Sequence, residues 1–231
     1  MLKGSDGLIR RPLTGGADYA FPMPADWSGS PAAGAVIPES EILYLTSADG
    51  KIVLGDGSKP FREILRGTRA TNFSAVANDL SLFGGVDSKK RLWIQRGLDA
   101  DPEILATGIE RVIWGPISHR MLVIDQNGKS RVYDNRDRSW MDLGVVTAAQ
   151  WSPDEERLLF VSQDSPSQTY LSVLMDGKIQ KLCDFARIGR LEGMVITTSG
   201  EKAFLLAGLS GQLDVWMMAL PAPARAARVG N

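Results

Sequence analysis

Few residues in this 231-residue chain are of a type that could do chemistry, and those few narrow what the chemistry could be. His119 is the single histidine, so a histidine metal cluster cannot be assembled and a Ser-His-Asp triad would have to use it. Its segment reads as a turn, which predicts a solvated residue there. Cys183 is the single cysteine and has no histidine nearby in sequence, a setting that suits burial as a small hydrophobe better than nucleophilic use. Asp99-Ala100-Asp101 and Asp134-Asn135-Arg136-Asp137 have acidic spacing, but neither carries the glycine and terminal glutamate of a calcium loop, so both read as solvated loops. No Gly-x-x-x-x-Gly-Lys phosphate cradle occurs. Glycoside hydrolysis would need two carboxylates about 5 to 10 Å apart, a separation only the fold can set. The residue inventory implies no metal and no cofactor.

Binding is better represented. Trp27 lies in a stretch, residues 17–40, that holds Pro22, Pro24, Pro31 and Pro38 and is expected to be mostly irregular, with a short strand near Tyr19. An aromatic on an irregular loop is a stronger contact candidate than one on a regular strand. The candidate binding residues are Trp27, Tyr19, Asp99, Asp101 and Asp164, on the insertion 19–40 and the loops 99–102 and 164–168.

A repeat must position these groups. Gln150-Trp151-Ser152-Pro153-Asp154-Glu155-Glu156-Arg157-Leu158-Leu159-Phe160-Val161 is a polar turn feeding an apolar strand, and it recurs. Ile113-Trp114-Gly115-Pro116-Ile117-Ser118-His119-Arg120-Met121-Leu122-Val123-Ile124 sets Trp114 on Trp151 and Arg120 on Arg157. A third copy runs from Ile196, with Lys202 at the arginine position, and a degenerate fourth from Phe73. The anchors Phe73, Trp114, Trp151 and Ile196 stand 41, 37 and 45 residues apart, the period of propeller blades. Apolar runs of four to six residues, rich in Val, Ile, Phe and Trp and split by Asn127-Gly128 or Asp176-Gly177, predict hairpins and argue against helices. Trp114 and Trp151, at equivalent positions, are expected to pack between blades.

Composition agrees. Lys and Arg number 26 against 27 Asp and Glu, so nothing draws the chain generally to nucleic acid or anionic lipid. No apolar run approaches the ~18 residues of a membrane helix. Met1-Leu2-Lys3-Gly4-Ser5-Asp6-Gly7 is not a secretory signal, so the expected compartment is the periplasm if a leader was removed and the cytoplasm otherwise.

The turn Trp151-Ser152-Pro153-Asp154 resembles the repeat of TolB-type propellers, whose units carry Trp-Ser-Pro-Asp-Gly. Asp6-Gly7-Leu8-Ile9-Arg10-Arg11-Pro12-Leu13-Thr14 is similar to the outer hairpin of that repeat. Glu155 stands where the repeat has Gly, Gly115 where it has Ser, and no unit ends in the Trp-Asp pair of WD-repeat propellers. The resemblance implies the fold superfamily and a tendency to bind proteins or peptides. Five-bladed propellers also include glycosidases with paired carboxylates in a central pocket.

The expected fold is all-β: a five-bladed β-propeller of four-stranded antiparallel blades, closed by the N-terminal strand completing the C-terminal blade. One domain, 1–231, would hold blades at about 17–66, 70–106, 109–144, 146–184, and 190–220 plus 6–14. Three functional readings stand: a non-catalytic scaffold for a protein, peptide or glycan; a carbohydrate hydrolase; and a purely structural domain of a longer chain.

Overall fold

The computed structural model describes residues 2–4, 7–10, 19–22, 31–36, 43–47, 51–55, 62–63, 70–76, 82–97, 100–117, 119–165, 168–184, 190–209 and 212–223. Every regular element among them is a β-strand. No helix among the described residues is long and apolar enough to cross a membrane. The chain divides into two compact units between Ile109 and Glu110.

In the first unit, β1 (Leu2–Gly4), β2 (Gly7–Arg10) and β3 (Tyr19–Pro22) form one antiparallel sheet with β2 in the middle. A second sheet runs in order through β4 (Pro31–Val36), β5 (Leu43–Ser47), β6 (Ile52–Gly55) and β7 (Arg62–Glu63). A third comprises β8 (Ala70–Val76), β9 (Leu82–Asp87), β10 (Arg91–Arg96) and β11 (Glu103–Thr107).

Three expectations need correction here. Leu8, Ile9 and Arg10 do not add a strand to the last sheet, because β2 has β1 on one edge and β3 on the other, and residues 11–13 lie outside the described residues. The Pro-rich insertion contains a strand, β4, which pairs with β5. Pro31 is tolerated because it opens a strand at the sheet edge, where no ladder donor is required of it. Finally, Phe73 is not the equivalent of Trp114. Strands β9 and β10 stand 38 residues before Arg120–Asp125 and Lys129–Asp134, which makes Val76 the match.

The hairpin turns enforce that offset. Asp87 Oδ1 accepts hydrogen bonds from the N–H groups of Lys89 and Arg91, each 2.9 Å. Asp125 Oδ1 accepts from Asn127 and Lys129 at 2.8 and 2.9 Å. A short acidic side chain holding its own turn is a common reason for Asp at such sites.

The second unit contains β12 (Ile109–Trp114), β13 (Arg120–Asp125), β14 (Lys129–Asp134), β15 (Ser139–Trp151), β16 (Arg157–Ser165), β17 (Gln168–Met175) and β18 (Lys178–Asp184), hydrogen-bonded in that order. β19 (Arg190–Ile196), β20 (Lys202–Leu209) and β21 (Gln212–Ala219) form a separate three-stranded sheet. β15 serves two four-stranded sheets: its first half pairs with β14, its second with β16, and Val145 changes partner, facing both Lys129 and Gln163. Asp176 and Gly177 take φ of 51° and 68°, the doubly left-handed turn that matches strand twist in a two-residue hairpin.

The core follows from the two-residue period of β16. Leu158 and Phe160 join Leu122, Ile124, Val132 and Trp151 on one side. Leu159 and Val161 join Leu171, Val173, Ile196, Ala203 and Leu205 on the other. A strand apolar on both faces is explained by sheets stacked face to face on either side of it. Each such buried Leu or Phe contributes about 1.5–3 kcal/mol.

Candidate binding surface

The antiparallel order brings the turns 115–119, 152–156 and 197–201 to the same end of their sheets. All three close identically. The N–H of Gly115 donates to the carbonyl of Arg120, Ser152 to Arg157 and Thr197 to Lys202, each at 2.9 Å. In two of them the turn's own hydroxyl caps the strand that follows: Ser152 Oγ accepts from Arg157 N–H at 2.9 Å, and Thr197 Oγ1 from Lys202 N–H at 3.2 Å. Gly115 has no hydroxyl, and the corresponding N–H of Arg120 donates to the Glu155 carboxylate at 3.2 Å.

Glu155 also accepts from Ile117 N–H at 2.7 Å and His119 N–H at 3.1 Å, and is itself buried. Its φ of 56° matches the 71° of Gly200, its repeat equivalent. A side chain in that left-handed region costs about 1–2 kcal/mol. Hydrogen bonds to an ionised acceptor contribute about 1.5–3 kcal/mol each, so three of them outweigh the strain.

The turn cations reach forward along the repeat. Arg120 Nε donates to Asp134 at 2.8 Å, and its Nη1 to the carbonyl of Glu155 at 3.1 Å. Arg157, also buried, donates through Nε to the carbonyl of Pro221 at 2.9 Å. Burial alone would raise the Asp134 carboxyl, but hydrogen bonds from Arg136 and Arg120 outweigh it and hold the group well below the usual carboxylate range. Asp87 and Asp154 behave alike. In each, the desolvation that would raise the group is overcome, by Arg91 at Asp87 and by the Ser152 hydroxyl and the Glu156 N–H at Asp154.

The opposite end of the second unit carries the loop singled out by sequence. Asp164 is exposed near the end of β16 and bonds Lys181 Nζ at 2.5 Å, while that ammonium lies 3.8 Å from the ring centroid of Tyr170. The Asp164 hydrogen bond, opposed by slight desolvation, raises the Lys181 ammonium. Among the other candidates, Asp101 is exposed in the first unit and Tyr19 opens β3. Trp27 and Asp99 lie outside the described residues.

His119 is exposed, as its turn implied. Cys183 is half-buried beside the apolar cluster of β16 and β20, and burial, with Asp184 second, pushes its thiol up, away from nucleophilic use. Trp151 is buried, its Nε1 donating to the carbonyl of Ile113 at 3.1 Å. No group of three or more His, Cys, Asp or Glu among the described residues is arranged to hold a metal ion. Sequence reasoning missed Glu155 and a stack in which Arg131 lies 4.6 Å from the Trp140 ring, itself 4.8 Å from Tyr133.

No family model matches the sequence, and no curated protein matches it. Solved structures do. A TolB-assigned protein from Agrobacterium tumefaciens is 15% identical, over 78% of this chain and 75% of that one, with a TM-score of 0.47. The β-propeller domain of Cps50 (Swd1) from Myceliophteria thermophila is 13% identical, over 78% and 69%, with a TM-score of 0.47. An oligogalacturonate lyase in complex with manganese is 8% identical, over 80% and 61%, with a TM-score of 0.58. The chain spans only 49% of a TolB from Acinetobacter baumannii, at 13% identity. The likeness to the lyase, the one of these with a TM-score above 0.5, is a likeness of fold alone. Likeness at these identities brings no activity with it.

Proposed function

We propose that the chain is a non-catalytic propeller scaffold that binds a protein or peptide partner. The observation that carries this reading is the Asp164–Lys181–Tyr170 group. It sets the Lys181 ammonium against both the Asp164 carboxylate and the Tyr170 ring, at a loop end of the stacked sheets. Loops on a rigid sheet scaffold are where recognition residues concentrate. The turn end favours the same reading, because its charged groups are engaged in joining turns to one another. Asp134 and Asp154 are displaced toward stronger acidity, the wrong direction for a general acid.

The test is capture of partners from an extract by the immobilised chain, compared with Asp164→Ala and Tyr170→Ala variants. Loss of the same captured protein in both variants supports the reading. Capture indifferent to both removes the loop end from it. Turnover of any chromogenic glycoside would replace it with the hydrolase alternative.

A further inference from the structure

The pairs Arg120–Asp134 and Lys202–Ala219 are equivalent in the repeat, which puts Leu220 at the place of Asn135. Both residues begin alike: Asn135 N–H donates to the carbonyl of His119 at 2.7 Å, and Leu220 N–H to that of Glu201 at 2.8 Å. From there the two paths part. After Asn135 the chain turns and runs back along β14 as β15. After Leu220 stands Pro221, at the position of Arg136, and residues 220–223 form no strand. A proline fixes its own φ and disfavours the helical region for the residue before it, which works against a tight turn at this point.

Two groups fasten the departing segment to the sheet and turn before it. Leu220 is buried and joins Ile196, Ala203 and Leu205 in the cluster built on β16 and β17. The Pro221 carbonyl accepts from Nε of Arg157 at 2.9 Å. The Arg157 side chain passes over Gly200, where a Cβ would stand 2.8 Å from Nη1. At the preceding junction the corresponding Arg120 takes the carbonyl of Glu155 in the next turn, whereas Arg157 takes one from the segment that leaves the sheet.

Among the described residues, β19–β21 is hydrogen-bonded strand to strand with no other sheet. Its docking on β16 and β17 rests on side chains, and Leu220 is one of only four buried apolar residues that the segment 190–223 brings to that cluster. A sheet docked in this way can part from its neighbour without breaking a ladder, and contiguous units of this kind open at less than the global free energy. We propose that Leu220 and Pro221 are a clamp: the last sheet opens from β16 and β17 as one body, and the clamp sets how rarely it does so.

Native-state hydrogen exchange of the full chain, followed amide by amide, tests this. In Leu220→Ala the protected amides of β20 and β21 should exchange at least about tenfold faster and by a common factor, while those of β13 and β14 keep their protection. The milder Leu220→Val should give the same pattern with a smaller factor, and Leu220→Met, which refills the volume, should restore most of the protection. Val132→Ala, a deletion in the core beside β14, should not produce the selective loss. Unchanged exchange in β20 and β21 overturns the proposal. Equal acceleration in β13 and β14 also overturns it, as does a Val132→Ala variant that reproduces the pattern.

Discussion

Gly115 and Glu155 are complementary in space: a Cβ built on Gly115 would stand 2.1 Å from Oε1 of Glu155. Gly115 stands where the other two turns have the hydroxyls of Ser152 and Thr197, Glu155 stands where the next turn has Gly200, and each departure accounts for the other. Loss of the turn hydroxyl at 115 leaves room and an uncapped strand start, and the carboxylate from the following turn enters that room and caps it. One junction between successive sheets is thus stitched by a side chain from the next unit.

Arg157→Met should destabilise the second unit by about 1–3 kcal/mol, since it leaves the Pro221 carbonyl without its guanidinium donor. Chemical denaturation monitored by tryptophan fluorescence measures this. Arg157→Lys should recover part of the loss, because an ammonium can reach the carbonyl but cannot reproduce the planar fork.

Asp134, Asp87 and Asp154 make stability fall in acid. Their folded-state values lie below the ordinary ones. Their contribution is therefore fully present above the unfolded carboxylate value of about 4 and is lost as pH falls toward the depressed folded values. Melting temperature should be flat through neutrality and drop below about pH 4. In Asp134→Asn the protein should be less stable at neutral pH and the acid drop shallower.

Phe160→Ala should cost about 3–5 kcal/mol, because Phe160 is fully buried between stacked sheets that cannot easily collapse into the space. By contrast, Asp164→Asn should leave the melting temperature where it is, since the bond to Lys181 lies in solvent. Differential scanning calorimetry of both variants distinguishes a structural face from a recognition face.

Much of this fold was legible because short-range chemistry encodes it. Asn127-Gly128 and Asp176-Gly177 marked hairpins, and the Trp114 and Trp151 segments aligned in the register that their turn-closing bonds share. Side-chain alternation could not show that 139–151 would be one strand. Gly144-Val145-Val146 lacks the proline or polar cluster that breaks a strand, and a change of partner at Val145 leaves no mark on periodicity. The Phe73 register failed because aromatic identity was matched in preference to the aspartate turns at 87 and 125. Gly115 and Glu155 read as two separate decays of the repeat, since residues 40 apart in sequence carry no sign that they touch. The site candidates were harder still: contact residues on loops obey no period, and of the five only Asp164 is met with partners among the described residues.

The most direct measurement is a double-mutant cycle in denaturant on Gly115→Ser, Glu155→Gly and the pair together. Gly115→Ser alone should cost about 2–3 kcal/mol by displacing the carboxylate, and Glu155→Gly alone a similar amount by uncapping three N–H groups. The pair restores the hydroxyl cap seen at Ser152 and should lie within about 1 kcal/mol of the parent, a coupling of at least about 2 kcal/mol. Losses that simply add, to within about 0.5 kcal/mol, would contradict the reciprocal fit of the two turns.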